Sequence, residues 1–403
     1  MLNVQRIRQD FPILKSGIIY LDNAASSLTP EPVLEKMLEF YREYRANIGR
    51  GVHRLAQRAS EEYESARRKV ANFINAQPYE LIMTRNATEG INIVASGLKW
   101  RRNDKIVTSI IEHHSNFIVW LRVKKKYGVS VEVVKPTESL EEGLFNLSDF
   151  EKAIDDNTRI VAVTHVSNVL GVIMPVKELA EMAHEHDALL LVDGAQSVPH
   201  MKIDVKEIDC DFLAFSGHKM CAPTGSGALY MKEKYLSEIE PLCIGGGTIV
   251  DVDLDDYQLE EGPKRFEGGT PAIGDIVGFG AAVEYLKKIG MENIQKHEAE
   301  LTKKIYKDLS TIQGIEVYGP KPKYKAGITS FNIKGLNPHD VAVTLDLSAK
   351  IILRSGHHCA LPATKNIICQ SGSVRASTYL YNTKEEVERL ISAIDELSKK
   401  VRN

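Results

Sequence analysis

Residues 188–196 read Ala188-Leu189-Leu190-Leu191-Val192-Asp193-Gly194-Ala195-Gln196. The apolar run has no polar alternation and ends on an acidic residue and a glycine. A strand that is apolar throughout belongs to a parallel sheet covered by helices on both faces. Its carboxyl end lies at the sheet edge where ligands bind in such folds. The same rhythm extends outward from about residue 60 to residue 235. Strands are expected at 80–84, 105–109, 131–134, 159–164, 212–216 and 227–231, with helices at 60–74, 90–98, 116–127, 147–155 and 176–186 between them. The fold class is therefore α/β, in three layers around a mainly parallel central sheet.

A Gly-rich polar zone over residues 245–274 breaks the rhythm, and one long helical stretch over 276–309 follows as a connector. Beyond it, strands at 314–318, 328–333 and 350–353, a helix at 337–347 and a closing helix at 384–401 predict a smaller α+β C-terminal domain. Thr383 and Glu386 have capping-box spacing at the start of the last helix. The expected division is an N-terminal arm over residues 1–20 packing with the small domain, a large domain over 21–275, and a connector with the small domain over 276–403.

Composition bounds the function. The chain has 403 residues, 43% hydrophobic and 26% charged, enough for a sizeable core. Its 51 Lys plus Arg against 54 Asp plus Glu leave a formal charge of -3 with no single-sign block, so neither nucleic acid nor a membrane surface is an expected partner. No apolar run approaches the roughly 20 residues of a membrane-spanning helix, and the charged start does not resemble a signal peptide. A cytoplasmic location is expected. The cysteines, Cys210, Cys221, Cys243, Cys359 and Cys369, form no C-x-x-C pair, so neither a structural zinc nor a disulfide framework is expected. All except Cys359 are read as inert core thiols.

Four segments carry chemistry. Phe212 to Lys219 runs from an apolar strand into a lysine, and desolvation at a strand exit makes an amine nucleophilic toward a carbonyl. Taken alone, such a lysine is more often a solvated surface residue. Asp193, at the end of its strand, needs a cationic partner if buried, and a protonated pyridine nitrogen would serve; an Asp-Gly pair is also a common turn. Arg85-Asn86-Ala87-Thr88-Glu89-Gly90 opens a helix with Thr88 as the expected N-cap, giving either an anion site or an ordinary cap. Glu112-His113-His114-Ser115-Asn116 follows another strand and can lay an imidazole over a planar ring or stay a surface pair.

In this order, and together with Ser167 to Gly171, Ser216-Gly217-His218-Lys219, Phe266 to Pro271 and Arg354-Ser355-Gly356-His357-His358-Cys359-Ala360, the segments resemble the Suf-type cysteine desulfurases. These are fold-type I pyridoxal-phosphate enzymes of the aminotransferase class V group. The resemblance runs from Tyr20-Leu21-Asp22-Asn23 to Tyr381-Asn382-Thr383. It implies pyridoxal 5'-phosphate as cofactor and L-cysteine as substrate, converted to L-alanine with the sulfur held as a persulfide for iron–sulfur cluster assembly. Lys219 would form the Schiff base and move the substrate's α-proton, Asp193 would pair with the ring nitrogen, His113 would stack on the ring, and Gln196 would donate to its phenolic oxygen. Thr88, Ser216 and His218 would hold the phosphate, joined by Thr270 from the second subunit of a homodimer. Asn168, Arg354 and Arg375 would bind the substrate, and Cys359 would take its sulfur, with His357, His358 and Arg354 helping to depress the thiol pKa.

The short span from Cys359 to Arg375 implies a constrained lobe and a sulfur-acceptor protein of the Suf system. Selenocysteine lyase or cysteine sulfinate desulfinase activity at the same site is the alternative, since those leaving groups depart without thiol attack. Two departures from the family pattern are Cys221, where an aromatic residue is usual, and Gly268 before Gly269-Thr270-Pro271. The first would bring a second thiol near the cofactor.

Overall fold

The computed structural model describes residues 2–136, 145–368 and 370–402. Seven strands, β1 (Leu81–Thr84), β2 (Lys105–Ser109), β3 (Ser130–Val134), β4 (Thr158–Thr164), β5 (Leu189–Asp193), β6 (Phe212–Ser216) and β7 (Gly227–Met231), form one sheet in the order β1-β7-β6-β5-β4-β2-β3. Only β7 opposes the rest; the pairs β2–β3, β2–β4, β4–β5 and β5–β6 are all parallel. The central strands are buried along their whole length, as their unbroken apolar runs require. Their two faces feed separate cores. Leu190, Val192, Leu213 and Phe215 point to one, while Leu189, Leu191, Phe212 and Ala214 point to the other.

A second sheet of four strands, β8 (Ile315–Tyr318), β9 (Ile328–Ile333), β10 (Arg354–Gly356) and β11 (Ser373–Ser377), is antiparallel in the order β8-β9-β11-β10. Its core is built from Phe331, Ile333, Val341, Leu345, Val374, Leu390 and Ile394. The expected strand at 350–353 contributes only Ile351–Ile352, paired in parallel with Ile19–Tyr20 near the N-terminus. The closing helix Lys384–Arg402 carries the anticipated capping box: Glu386 N–H donates to Thr383 Oγ1 at 3.2 Å, and Thr383 N–H donates to Glu386 Oε2 at 3.1 Å.

One expectation is corrected. The long connector is two helices, Ile273–Ile289 and Met291–Thr311, interrupted at Gly290, whose φ of 90° is open to a residue without Cβ. Within the Gly-rich zone, Ile249–Val252 and Tyr257–Leu259 pair as a hairpin with Val252, Leu254 and Tyr257 exposed. Among the described residues no helix is long and apolar enough to cross a membrane.

Candidate active site

The carboxyl ends of the parallel strands open into a cleft of about 590 Å³. Thr88, His113, Asn168, Asp193, Gln196, Ser216, His218, Lys219, Arg354, Cys359 and Arg375, separated by up to 287 positions in sequence, all line it. Thr270 does not; it is exposed on this chain, away from the cleft.

Asp193 ends β5 and is 3% exposed, its Oδ1 accepting the Ala195 N–H at 3.0 Å. Burial raises its pKa, against a pull downward from Lys219. Lys219 follows β6 through the tight turn Gly217–Lys219, where a side chain at Gly217 would collide with Ser226. Burial lowers the pKa of its amine; Asp193 and Cys359 oppose that shift and Arg375 adds to it. A desolvated amine facing a desolvated carboxylate supplies a nucleophile that also holds and releases a proton.

The helix Ala87–Gly97 points its N-terminus at the same cleft. Its cap is Asn86 rather than Thr88: the Asn86 backbone is extended and its Oδ1 accepts the Glu89 N–H at 3.0 Å. The Asn86-x-x-Glu89 spacing was the available signal. Thr88 is thus inside the first turn, its hydroxyl 2.6 Å from Ser115 Oγ, and the Ala87 N–H donates to Ser216 Oγ at 2.9 Å. His218 contacts Ser26 Oγ at 3.3 Å, and burial with the charge of Lys219 pushes its pKa down to about 4. With the Ala87 and Glu89 amides already taken up, the hydroxyls of Thr88 and Ser216 and the His218 ring beside the positive end of the helix are the donors that suit a phosphate dianion.

His113 accepts the Ser115 N–H on Nδ1 at 3.1 Å, and its pKa falls to about 3, through burial first and the charge of Lys219 second. The ring is therefore neutral and available to stack. Gln196 Nε2 donates to the Ala24 carbonyl at 2.7 Å, which leaves its second N–H for a ligand. Gln196 Oε1, Asn168 Oδ1 and Arg375 Nε are buried on the cleft wall with no hydrogen-bond partner among the described residues. Orphaned polar atoms of this kind fit a polar ligand. A flat ring with a cationic nitrogen for Asp193, an aldehyde for Lys219 and a phosphate for the helix end satisfies all three parts of the site, so the residues fit pyridoxal 5'-phosphate.

Arg375 lies in β11 and is 2% exposed. It donates to the Asn168 carbonyl at 2.9 Å and to Asp22 Oδ1 at 3.0 Å. Asp22 as the counter-charge was not anticipated, although it stands in the Tyr20 to Ala25 segment that carries the family resemblance. Arg354, directly opposite Arg375 in the strand register, is exposed at the mouth. Cys359 is also exposed, in the turn after β10. The expectation that His358 acts on the thiol is corrected: His358 is buried, its Nε2 is 3.0 Å from both the carbonyl and hydroxyl of Ser373, and burial pushes its pKa to about 3. It braces the turn as a neutral ring, while His357 stays exposed.

Among the other cysteines, Cys210 and Cys221 are buried as expected, and burial drives the Cys221 thiol up to about 12. Cys221 does not line the cleft. Cys243 is exposed rather than a core thiol, because the segment around it packs at the surface. Cys369 lies outside the described residues.

A parallel sheet that gathers a lysine, a buried aspartate and a helix N-terminus at its strand ends defines a class of cofactor-dependent enzymes. The aminotransferase class-V model matches residues 19–390, and the chain belongs to that family. It is 49% identical over 401 residues to a probable cysteine desulfurase of Pyrococcus abyssi, covering 98% of each chain. It is 46% identical over 400 residues to one of Methanothermobacter thermautotrophicus, again covering 98% of each. The fold superposes with a TM-score of 0.95 on a cysteine desulfurase of Thermococcus onnurineus, 47% identical and with 99% of each chain covered. On an Escherichia coli cysteine desulfurase in an S-sulfonic acid form the TM-score is 0.91 at 32% identity, covering 100% of this chain and 99% of the other.

Proposed function

We propose that this protein is a pyridoxal 5'-phosphate-dependent cysteine desulfurase that converts L-cysteine to L-alanine and stores the sulfur as a persulfide on Cys359. The observation that carries the reading is the convergence of Lys219, Asp193, Arg375 and Cys359 on one cleft. Lys219 and Arg375 are close enough to Cys359 for its charge to act on both.

Asp193 would hold the ring nitrogen, His113 would cover the ring, Gln196 would donate to the phenolic oxygen, and Thr88, Ser216 and His218 would hold the phosphate. The bound cofactor supplies a carbonyl for the substrate amine and an electron sink for the charge left at Cα. Lys219, whose amine burial shifts toward the uncharged form, takes the proton from Cα and returns protons to the carbon skeleton. Arg375, oriented by Asp22 and the Asn168 carbonyl, grips the α-carboxylate with its remaining donors, supported by Asn168 and Arg354. Cys359 attacks the substrate sulfur as a thiolate: an S–S bond forms, the Cβ–S bond breaks with its electron pair staying on carbon, and a proton completes the methyl group of alanine. The two sulfurs lose the two electrons that carbon gains, so no external oxidant enters.

The exposure of Cys359 supports onward transfer to a sulfur-acceptor protein of the Suf system for iron–sulfur cluster assembly. The exposed hairpin at 249–259 and the position of Thr270 off its own cleft support a homodimer in which Thr270 completes the partner's phosphate site. A thiol that must cycle through a persulfide fits the reducing cytoplasm.

Anaerobic incubation of the cofactor-loaded protein with L-cysteine and a reductant tests the reading by counting alanine and sulfide. Equal yields are expected from the native protein, and near loss of both from Cys359→Ala. Full activity in the variant would move the assignment to selenocysteine lyase or cysteine sulfinate desulfinase chemistry.

A further inference from the structure

The backbone on both sides of the Cys359 carbonyl hangs on one residue of the large sheet's rim. His114 donates its backbone N–H to the Cys359 carbonyl at 2.7 Å, and its ring Nε2 accepts the Leu361 N–H at 3.1 Å. The turn needs such support. His358 and Cys359 have φ of 51° and 54°, consecutive left-handed conformations that residues with a Cβ keep only when their surroundings impose them. Before the cysteine, Asn168 Nδ2 donates to the His358 carbonyl at 2.6 Å and His358 reaches Ser373. At the cysteine and after it, the bonds from the large-sheet side come from His114.

His114 also adjoins His113, the residue assigned to the ring face. Both belong to a stiff short segment: His113 caps the turn His114–Asn116, and Asn116 Nδ2 is bound at 2.7 Å to the carboxyl of fully buried Glu112. The element that meets the cofactor on one residue thus meets the sulfur-carrying turn on the next. An imidazole that accepts an N–H must be neutral, and burial together with the neighbouring His357 favours that form.

We propose that His114 is a positioning residue that sets the reach of the Cys359 thiol toward the substrate sulfur by clamping the Cys359–Leu361 backbone to the segment that carries His113. The inference rests on the desulfurase reading, and it predicts a selective defect. Removing the imidazole frees the Leu361 N–H and lets the turn drift, which harms thiol attack on the substrate sulfur. Cysteine sulfinate, whose sulfur group leaves without that attack, is largely spared.

The test compares alanine production from L-cysteine and from L-cysteine sulfinate in the native holoenzyme, His114→Ala and His114→Gln, with hydrogen exchange at the Leu361 amide measured alongside. In His114→Ala the cysteine-to-sulfinate ratio should fall about 10- to 100-fold, the scale of a misplacement near 1 Å, and Leu361 exchange should accelerate. His114→Gln, whose amide oxygen can accept the same N–H, should recover most of the ratio and slow the exchange. An unchanged ratio in His114→Ala, an equal fall with both substrates, or a Gln variant as impaired as the Ala variant overturns the proposal. If the native protein releases alanine from neither substrate, the desulfurase reading itself fails, while exchange at Leu361 still shows whether the imidazole holds the turn.

Discussion

Glu267 offers a sharp test of how the segment leading to Thr270 is anchored. Its carboxylate accepts from Arg67 Nη1 at 2.6 Å, Arg67 Nη2 at 2.9 Å, the Tyr63 hydroxyl at 3.1 Å and the Met83 N–H at 2.7 Å. The Arg67 side chain is 3% exposed and that of Glu267 10%. Burial alone would lower the pKa of the Arg67 guanidinium, yet Glu267 outweighs it and holds the group charged. Glu267→Gln keeps the volume and one acceptor oxygen but removes the charge, leaving Arg67 with Glu64 at 3.0 Å, whose side chain is 42% exposed and partly screened. Breaking a buried pair from one side costs about 3–5 kcal/mol, a rise of roughly 10²- to 10³-fold or more in the unfolded population at about 1.4 kcal/mol per decade. Urea unfolding of the holoprotein, followed by far-UV circular dichroism, reads this as a lower midpoint with an unchanged slope. Arg67→Met combined with Glu267→Gln should regain much of the loss, because the orphaned charge is gone. A single variant within about 1 kcal/mol of the native protein, or a double variant worse than the sum of the singles, would show that the pair does not anchor this segment.

Further outcomes follow from the same geometry. Arg375→Lys cannot satisfy Asn168, Asp22 and a substrate carboxylate at once; losing one charge-assisted hydrogen bond, about 1.5–3 kcal/mol, should raise KM for cysteine about 10- to 150-fold, and steady-state kinetics with KM within about twofold of native would sink that role. Lys325 is fully buried, donates to the Tyr318 carbonyl at 2.9 Å, and burial pulls its pKa from 10.5 to about 7. The folded chain then binds fewer protons than the unfolded one between those values, so this lysine's penalty is full below pH 7 and is relieved as pH rises toward 10.5. The stability gain of Lys325→Met over native should accordingly be largest at pH 6 and smallest at pH 10 in matched urea titrations; the opposite trend refutes the assignment. In a Cys369→Ser background, Ellman's reagent should modify Cys359 and Cys243 in the folded protein and reach Cys210 and Cys221 only after denaturation, as peptide mapping would show.

The parallel sheet was legible because its evidence is local: β4 to β7 are apolar runs, and the limits of β2, β6 and β7 coincide with the expected ones. The glycine, lysine and aspartate at the strand exits were legible for the same reason, since a strand's end and the residue that follows it are neighbours in sequence. The cap at Asn86 had a local signal that Thr88 overshadowed. By contrast, β11 reads Ser373-Val374-Arg375-Ala376-Ser377, and nothing local says that an arginine in its middle is buried.

Sequence alone therefore determined the sheet, the cleft's chemical inventory and, through ordered motifs, the family. Tertiary structure decided which groups are charged, held and exposed. Arg375 is fixed by Asp22, 353 positions away, the two histidines beside Cys359 are split between interior and solvent, and His114 meets a turn 245 residues downstream of it. Strand and helix patterns arise from the backbone's short periods, whereas the partner of a buried charge and the solvent around a thiol are set by whichever distant segments the fold packs against them.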